Sequence, residues 1–94
     1  MTESVRASHI LVKTKEEAEN LKSDIEGGKS FADVAAEHSM CPSGAAGGDL
    51  GTFGRGMMVK PFEDAAFEAQ VGKVTNPIQT QFGWHLILVT EKND

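Results

Sequence analysis

Thr80-Gln81-Phe82-Gly83-Trp84-His85-Leu86-Ile87-Leu88-Val89 is the stretch whose reading decides the fold of this 94-residue chain. From Trp84 onward it is an apolar run too short for a typical globular helix, which identifies a buried strand with a histidine near its start. Ser8-His9-Ile10-Leu11-Val12 repeats that pattern near the other end of the chain. Two such strands, laid side by side, would bring His9 and His85 together.

Working outward, Val74 to Thr80 is a shorter strand candidate interrupted by Pro77, which suits a sheet edge or a strand start. The short turn at Gly83 makes it the hairpin partner of the last strand. After the first strand, Thr14-Lys15-Glu16-Glu17 has the spacing of a capping box, and Ala18, Leu21 and Ile25 then fall on one helical face before Gly27-Gly28. Ser30-Phe31-Ala32-Asp33 repeats the capping pattern and opens a shorter helix ending near His38. Pro61-Phe62-Glu63-Asp64-Ala65-Ala66-Phe67 reads as a third helix, with Pro in its first turn and acidic residues favoured by the helix dipole, ended by Gly72. Between the second and third helices, Cys41 to Gly56 holds six of the ten glycines and reads as a loop with a short strand around Leu50 to Phe53. That loop lacks the Gly-Lys-Ser/Thr of a phosphate-binding turn.

The length allows one domain with one core, placed at residues 1–94. One cysteine rules out a disulfide framework and suits a reducing compartment. The first residues, Met1-Thr2-Glu3-Ser4-Val5-Arg6, lack the apolar centre of a secretory signal, and no segment approaches the roughly 18 apolar residues of a membrane span. A soluble, cytoplasmic monomer is the expectation. The net charge of -5 argues against nucleic-acid binding, which draws on Lys and Arg for phosphate contacts.

Three side chains stand out chemically: His9, Cys41 and His85. A Cys with two His could be a thiol enzyme, but no orienting group or oxyanion hole is legible beside them. The same three could hold zinc with a water, although their dispersed spacing carries little signal and no metal is expected. Met57, Met58, Phe62 and Phe82 form an apolar group that serves a core or a binding surface equally well.

Four motifs taken together carry a family resemblance: Ser-His-Ile-Leu-Val-Lys at 8 to 13, Gly-Gly-Asp-Leu-Gly at 47 to 51, Met-Val-Lys-Pro-Phe-Glu at 58 to 63, and Thr-Gln-Phe-Gly-Trp-His at 80 to 85. In this order, over residues 5–91, they resemble the parvulin-type peptidyl-prolyl cis/trans isomerases. The resemblance implies an α+β domain in the order βαααβαββ: a four-stranded antiparallel sheet surrounded by about four helices, one of them a short helix near Cys41 to Gly44. It implies that His9 and His85 are the paired histidines of the site, with Thr80 hydrogen-bonded into the pair and Cys41 beside the rotating amide. Leu50, Met58, Phe62 and Phe82 correspond to the apolar cup for the proline ring. The Phe82 position places the chain nearer the small prokaryotic-like members than the phosphate-dependent ones.

The implied function is isomerisation of Xaa-Pro bonds in peptides and unfolded proteins, non-covalent, without cofactor and without phosphate dependence. The alternative is a non-catalytic proline-peptide-binding or chaperone module. Lys13-Thr14-Lys15 followed by Glu16-Glu17 offers no Arg pair to grip phosphate in bidentate fashion.

Overall fold

The two histidine-bearing runs become the central strands of one antiparallel sheet. The structure, a computed structural model, describes residues 3–93. β1 (Ser4–Val12) pairs with β4 (Gly83–Asn93) in the middle of a four-stranded sheet, flanked by β2 (Asp49–Gly54) beyond β1 and β3 (Ile78–Thr80) beyond β4. Strands buried on both faces need apolar side chains in succession, which is why these two segments read as continuous apolar runs. Register slips between Arg6 and Ala7, so that Val89 pairs with Ala7 and Thr90 drops out of the pairing. The Thr90 hydroxyl then donates to the Arg6 carbonyl at 3.2 Å.

Helices cover the two faces. α1 (Lys15–Glu26) and α2 (Phe31–His38) lie on one, where Ala18, Leu21, Phe31 and Val34 bury against Ile10, Val12 and Leu86. Their starts follow the capping chemistry: Thr14 Oγ1 accepts from Glu17 N at 3.1 Å, and Ser30 Oγ from Asp33 N at 3.4 Å. Trp84 packs on this side with the Lys15 ammonium 5.9 Å from its ring centroid. α3 (Lys60–Glu68) covers the other face, packing Phe62, Ala66 and Phe67 against Val5, Phe53, Ile87 and Val89. Each fully buried aromatic or branched side chain contributes ~1.5–3 kcal/mol, so the two clusters hold the layers together from both sides.

Among the described residues the α-helices number three, not the expected four. Pro42–Ala46 forms a short 3-10 helix, because Gly44 lowers helix propensity within it and the left-handed Gly47, at φ 74°, ends it. α3 also stops earlier than expected, its carboxyl end capped at Ala69 rather than at Gly72. Pro77 is followed directly by β3, and Val74 makes an isolated bridge to Leu88. Among the described residues, no helix is long and apolar enough to cross a membrane.

Candidate active site

Opposed residues of an antiparallel pair point to the same face, and His9 pairs with Ile87 while Leu11 pairs with His85. The two imidazoles are therefore diagonal neighbours on the α3 face. Their Nδ1 atoms lie 3.1 Å apart, and the rings stack with centroids 5.3 Å apart and planes 17° from parallel. Thr80, at the end of β3, places Oγ1 2.7 Å from His85 Nε2. Ser43, on the 3-10 turn, places Oγ 3.2 Å from His9 Nε2 and donates to Cys41 Sγ at 3.3 Å.

These contacts compose one hydrogen-bonded chain. The Phe82 N–H donates to Thr80 Oγ1 at 3.2 Å, and the same hydroxyl lies 2.7 Å from His85 Nε2. With the Ser43 hydroxyl donating to Cys41, the neutral tautomers that satisfy every contact point His9 Nε2–H at Ser43 and His85 Nδ1–H at His9 Nδ1. In this arrangement each ring carries one proton and each nitrogen has one partner.

Electrostatics agree with that assignment. Burial lowers the pKa of His9, and burial together with the charge of His9 lowers that of His85 to about 4 from its ordinary 6.5. Both rings are neutral at physiological pH. Imidazole resonances followed by NMR should accordingly show His85 not titrating between pH 8 and about 5, and a His9 midpoint below its ordinary 6.5. As pH falls below about 6.5 the unfolded chain takes up protons before the folded one, so stability declines from there toward about pH 4 and is level above. A His85 midpoint at or above 6.5 would contradict this arrangement.

The segment carrying Cys41 and Ser43 is tied to β1 by its backbone. Ser39 Oγ accepts from Leu11 N at 3.1 Å and Cys41 N at 3.3 Å, and Met40 N donates to the Leu11 carbonyl at 2.7 Å. Gly48 closes the loop: its N–H donates to the Ser43 carbonyl at 2.8 Å and its carbonyl accepts from His9 N at 2.9 Å. At φ 83° and pressed against the His9 backbone, that position has no room for a Cβ.

Above the histidines opens an apolar cleft of about 440 Å³. The Phe62 ring stands nearly perpendicular to both imidazoles, with centroids 5.5 Å from His9 and 5.2 Å from His85. Leu50, Met57, Met58 and Cys41 line the remainder. Phe82, 59 % exposed, stands at the rim of the cleft.

The family model described as the PPIC-type PPIASE domain matches residues 1–93. The chain belongs to this family of peptidyl-prolyl cis/trans isomerases. The foldase protein PrsA of Geobacillus sp. (strain WCH70) is 50 % identical over 91 residues, 96 % of this chain and 33 % of the foldase. The crystal structure of PrsA from Bacillus anthracis superposes with a TM-score of 0.96 at 38 % identity, over 99 % of this chain and 43 % of that one. NmPin, the parvulin of Nitrosopumilus maritimus, is 42 % identical with a TM-score of 0.88, and 97 % of this chain covers 99 % of it. The chain thus spans about a third of the length of the foldase and nearly all of the parvulin.

Of the residues singled out in the sequence of this PPIC-type domain, His9, Cys41, His85, Leu50, Met58, Phe62 and Phe82 line one cleft, and Thr80 supports it from behind His85. Ser43, Ser39, Gly48, Leu11 and Met40 were not foreseen. Ser43 and Ser39 flank Cys41 at two residues on either side, but a glycine-rich loop has no periodicity to show which way they point.

Proposed function

We propose that the cleft accelerates rotation about Xaa-Pro bonds by holding the proline ring against Phe62, Met58 and Leu50 while the preceding chain turns over the neutral histidine pair. The uncatalysed barrier is ~18–20 kcal/mol, and each tenfold acceleration takes ~1.4 kcal/mol of preferential binding to the twisted amide. Twisting removes amide resonance and makes the bond less polar, so a dry apolar cup favours the twisted form over the planar one. No covalent bond forms or breaks.

The histidine pair supports this reading as a rigid, neutral floor, with Thr80 at one end of the hydrogen-bonded chain and Ser43 and Cys41 at the other. Cys41 acts as a polar neighbour of the amide, not as a nucleophile. A Cys41→Asp variant keeps an acceptor for the Ser43 hydroxyl and should retain activity within about tenfold, a difference of ~1.4 kcal/mol. Near-complete loss, with a trapped thiol adduct in the parent, would contradict that role.

Substrates are proline-containing peptides and unfolded proteins, without phosphate dependence. Both arginines of the chain have carboxylate partners, Arg6 with Asp49 at 2.7 Å and Arg55 with Glu63 at 3.4 Å, and Lys15 lies over Trp84. A phosphoserine-proline peptide should turn over no faster than its plain analogue in a protease-coupled assay. A tenfold preference for phosphate would overturn this part of the proposal.

Of the exposed large apolar side chains among the described residues, Met40, Met57 and Phe82 border the cleft and only Val71 lies elsewhere, which favours a monomer. The unpaired thiol of Cys41 favours a reducing, cytoplasmic setting. The same apolar rim also suits a second reading, a module that holds extended chains without turning them over. Binding of a proline peptide without faster cis/trans exchange would select it.

A further inference from the structure

Glu63 is a buried carboxylate to which isomerisation assigns no task. It is 6 % exposed, and acids at that depth occur almost only when paired. It follows Phe62 in the first turns of α3, yet its carboxylate reaches back across the β2–α3 connection. Oε1 accepts from the Gly56 backbone N–H, and Oε2 from Arg55 Nη1 at 3.4 Å. The Arg55 guanidinium lies 4.3 Å from the ring centroid of Phe67, one turn further along α3. The carboxylate therefore fastens the connection onto the helix that carries Phe62. Next in that connection come Met57 and Met58, which form one wall of the cleft. Met57, 67 % exposed, has only one further tie, from Gly54 N to its Sδ at 3.4 Å.

We propose that Glu63 is a positioning residue for substrate, holding the Met57–Met58 wall in place so that side chains flanking the proline meet a preformed apolar surface. This rests on the cleft being the proline site. The Gly56 bond to this buried carboxylate is charge-assisted and so stronger than a neutral one, while the pair with Arg55, whose side chain is 58 % exposed, is weakened by solvent. Without them, the short connection from Arg55 to Val59, with Gly56 in it, is free to move and must be ordered each time substrate binds. That cost falls equally on planar and twisted amide, so it enters KM and leaves kcat alone.

Glu63→Gln keeps the shape and one acceptor for Gly56 but removes the ion pair. It should raise KM at least fivefold with kcat within twofold of the parent. The methyl resonances of Met57 and Met58 should shift and narrow while that of Met40, across the cleft, stays in place. Arg55→Met, which removes the guanidinium but leaves the Gly56 bond to Glu63, should show the same pattern at smaller amplitude. A KM within twofold of the parent, even with a lower melting temperature, would leave Glu63 a structural residue only and overturn the proposal. So would a loss confined to kcat, or Met57 and Met58 methyls that do not respond. Should the parent itself lack isomerase activity, the site reading fails separately. The peptide Kd from chemical-shift titration then decides the matter, a fivefold rise in Glu63→Gln supporting the proposal and an unchanged Kd overturning it.

Discussion

Replacing Phe62 with alanine is expected to lower kcat/KM by about a hundredfold or more. Its ring is 3 % exposed and packs perpendicular to both imidazoles, with Phe53 6.1 Å away. Removing it deletes contacts of the order of 1.5–3 kcal/mol and lets water onto the histidine floor, and ~2.7 kcal/mol corresponds to a hundredfold in rate. The same ring belongs to the core around Val5 and Ile87, so stability should fall by ~3–5 kcal/mol. Against roughly 5–15 kcal/mol for a domain of this kind, the variant should remain largely folded at low temperature. Phe62→Leu refills part of the space and separates the two effects, with most of the stability kept and activity down about tenfold or more. Denaturant titration beside a protease-coupled assay measures both. A folded Phe62→Ala protein with kcat/KM within threefold of the parent would remove the cup from the mechanism.

Gly48→Ala is expected to be the most damaging exchange of a single small residue. The backbone there is left-handed, which costs a non-glycine residue ~1–2 kcal/mol, and the new Cβ would lie far inside van der Waals contact with the His9 carbonyl. Strand and loop cannot separate freely, because Gly48 bonds to His9 on one side and to Ser43 on the other. The expected loss of stability is about 3 kcal/mol or more, and the displaced His9 should reduce activity about a hundredfold in whatever remains folded. Gly51→Ala is the matched control: its φ of 72° carries the same left-handed penalty, but open space surrounds the added Cβ. It should cost only ~1 kcal/mol. Urea titrations of the two variants distinguish a steric wedge at His9 from a general intolerance of alanine in this loop, and equal losses would dispose of the wedge.

The central strands were legible because burial on both faces demands an unbroken apolar run, and the starts of α1 and α2 because Thr14 and Ser30 announce their caps. The histidine pair followed once both strands were recognised. Its diagonal offset did not, since register depends on the slip at Thr90, and a bulge of one residue leaves no periodic trace. The short helix implied near Cys41 proved to be of the 3-10 type, in keeping with the loop composition of that segment. Ser43 and Glu63 stayed hidden for a common reason. Each acts through a tertiary hydrogen bond, Ser43 to a histidine 34 positions away and Glu63 to a turn folded back over its own helix, and such partners are set by the assembled fold rather than by local pattern.

The central claim is that rotation is catalysed by a neutral histidine floor under an apolar cup, with no proton transfer and no bond formed. Exchange NMR of an Ala-Pro or Leu-Pro peptide with catalytic amounts of the chain, recorded from pH 5.5 to 8.5, tests it most directly. Cis/trans interconversion should be accelerated by about a thousandfold or more at saturation, ~4 kcal/mol of barrier, with no imidazole titration in the rate at or above pH 6.5, because burial lowers both pKa values. No acceleration, or a rate that follows a single imidazole titration near pH 6.5, would contradict it.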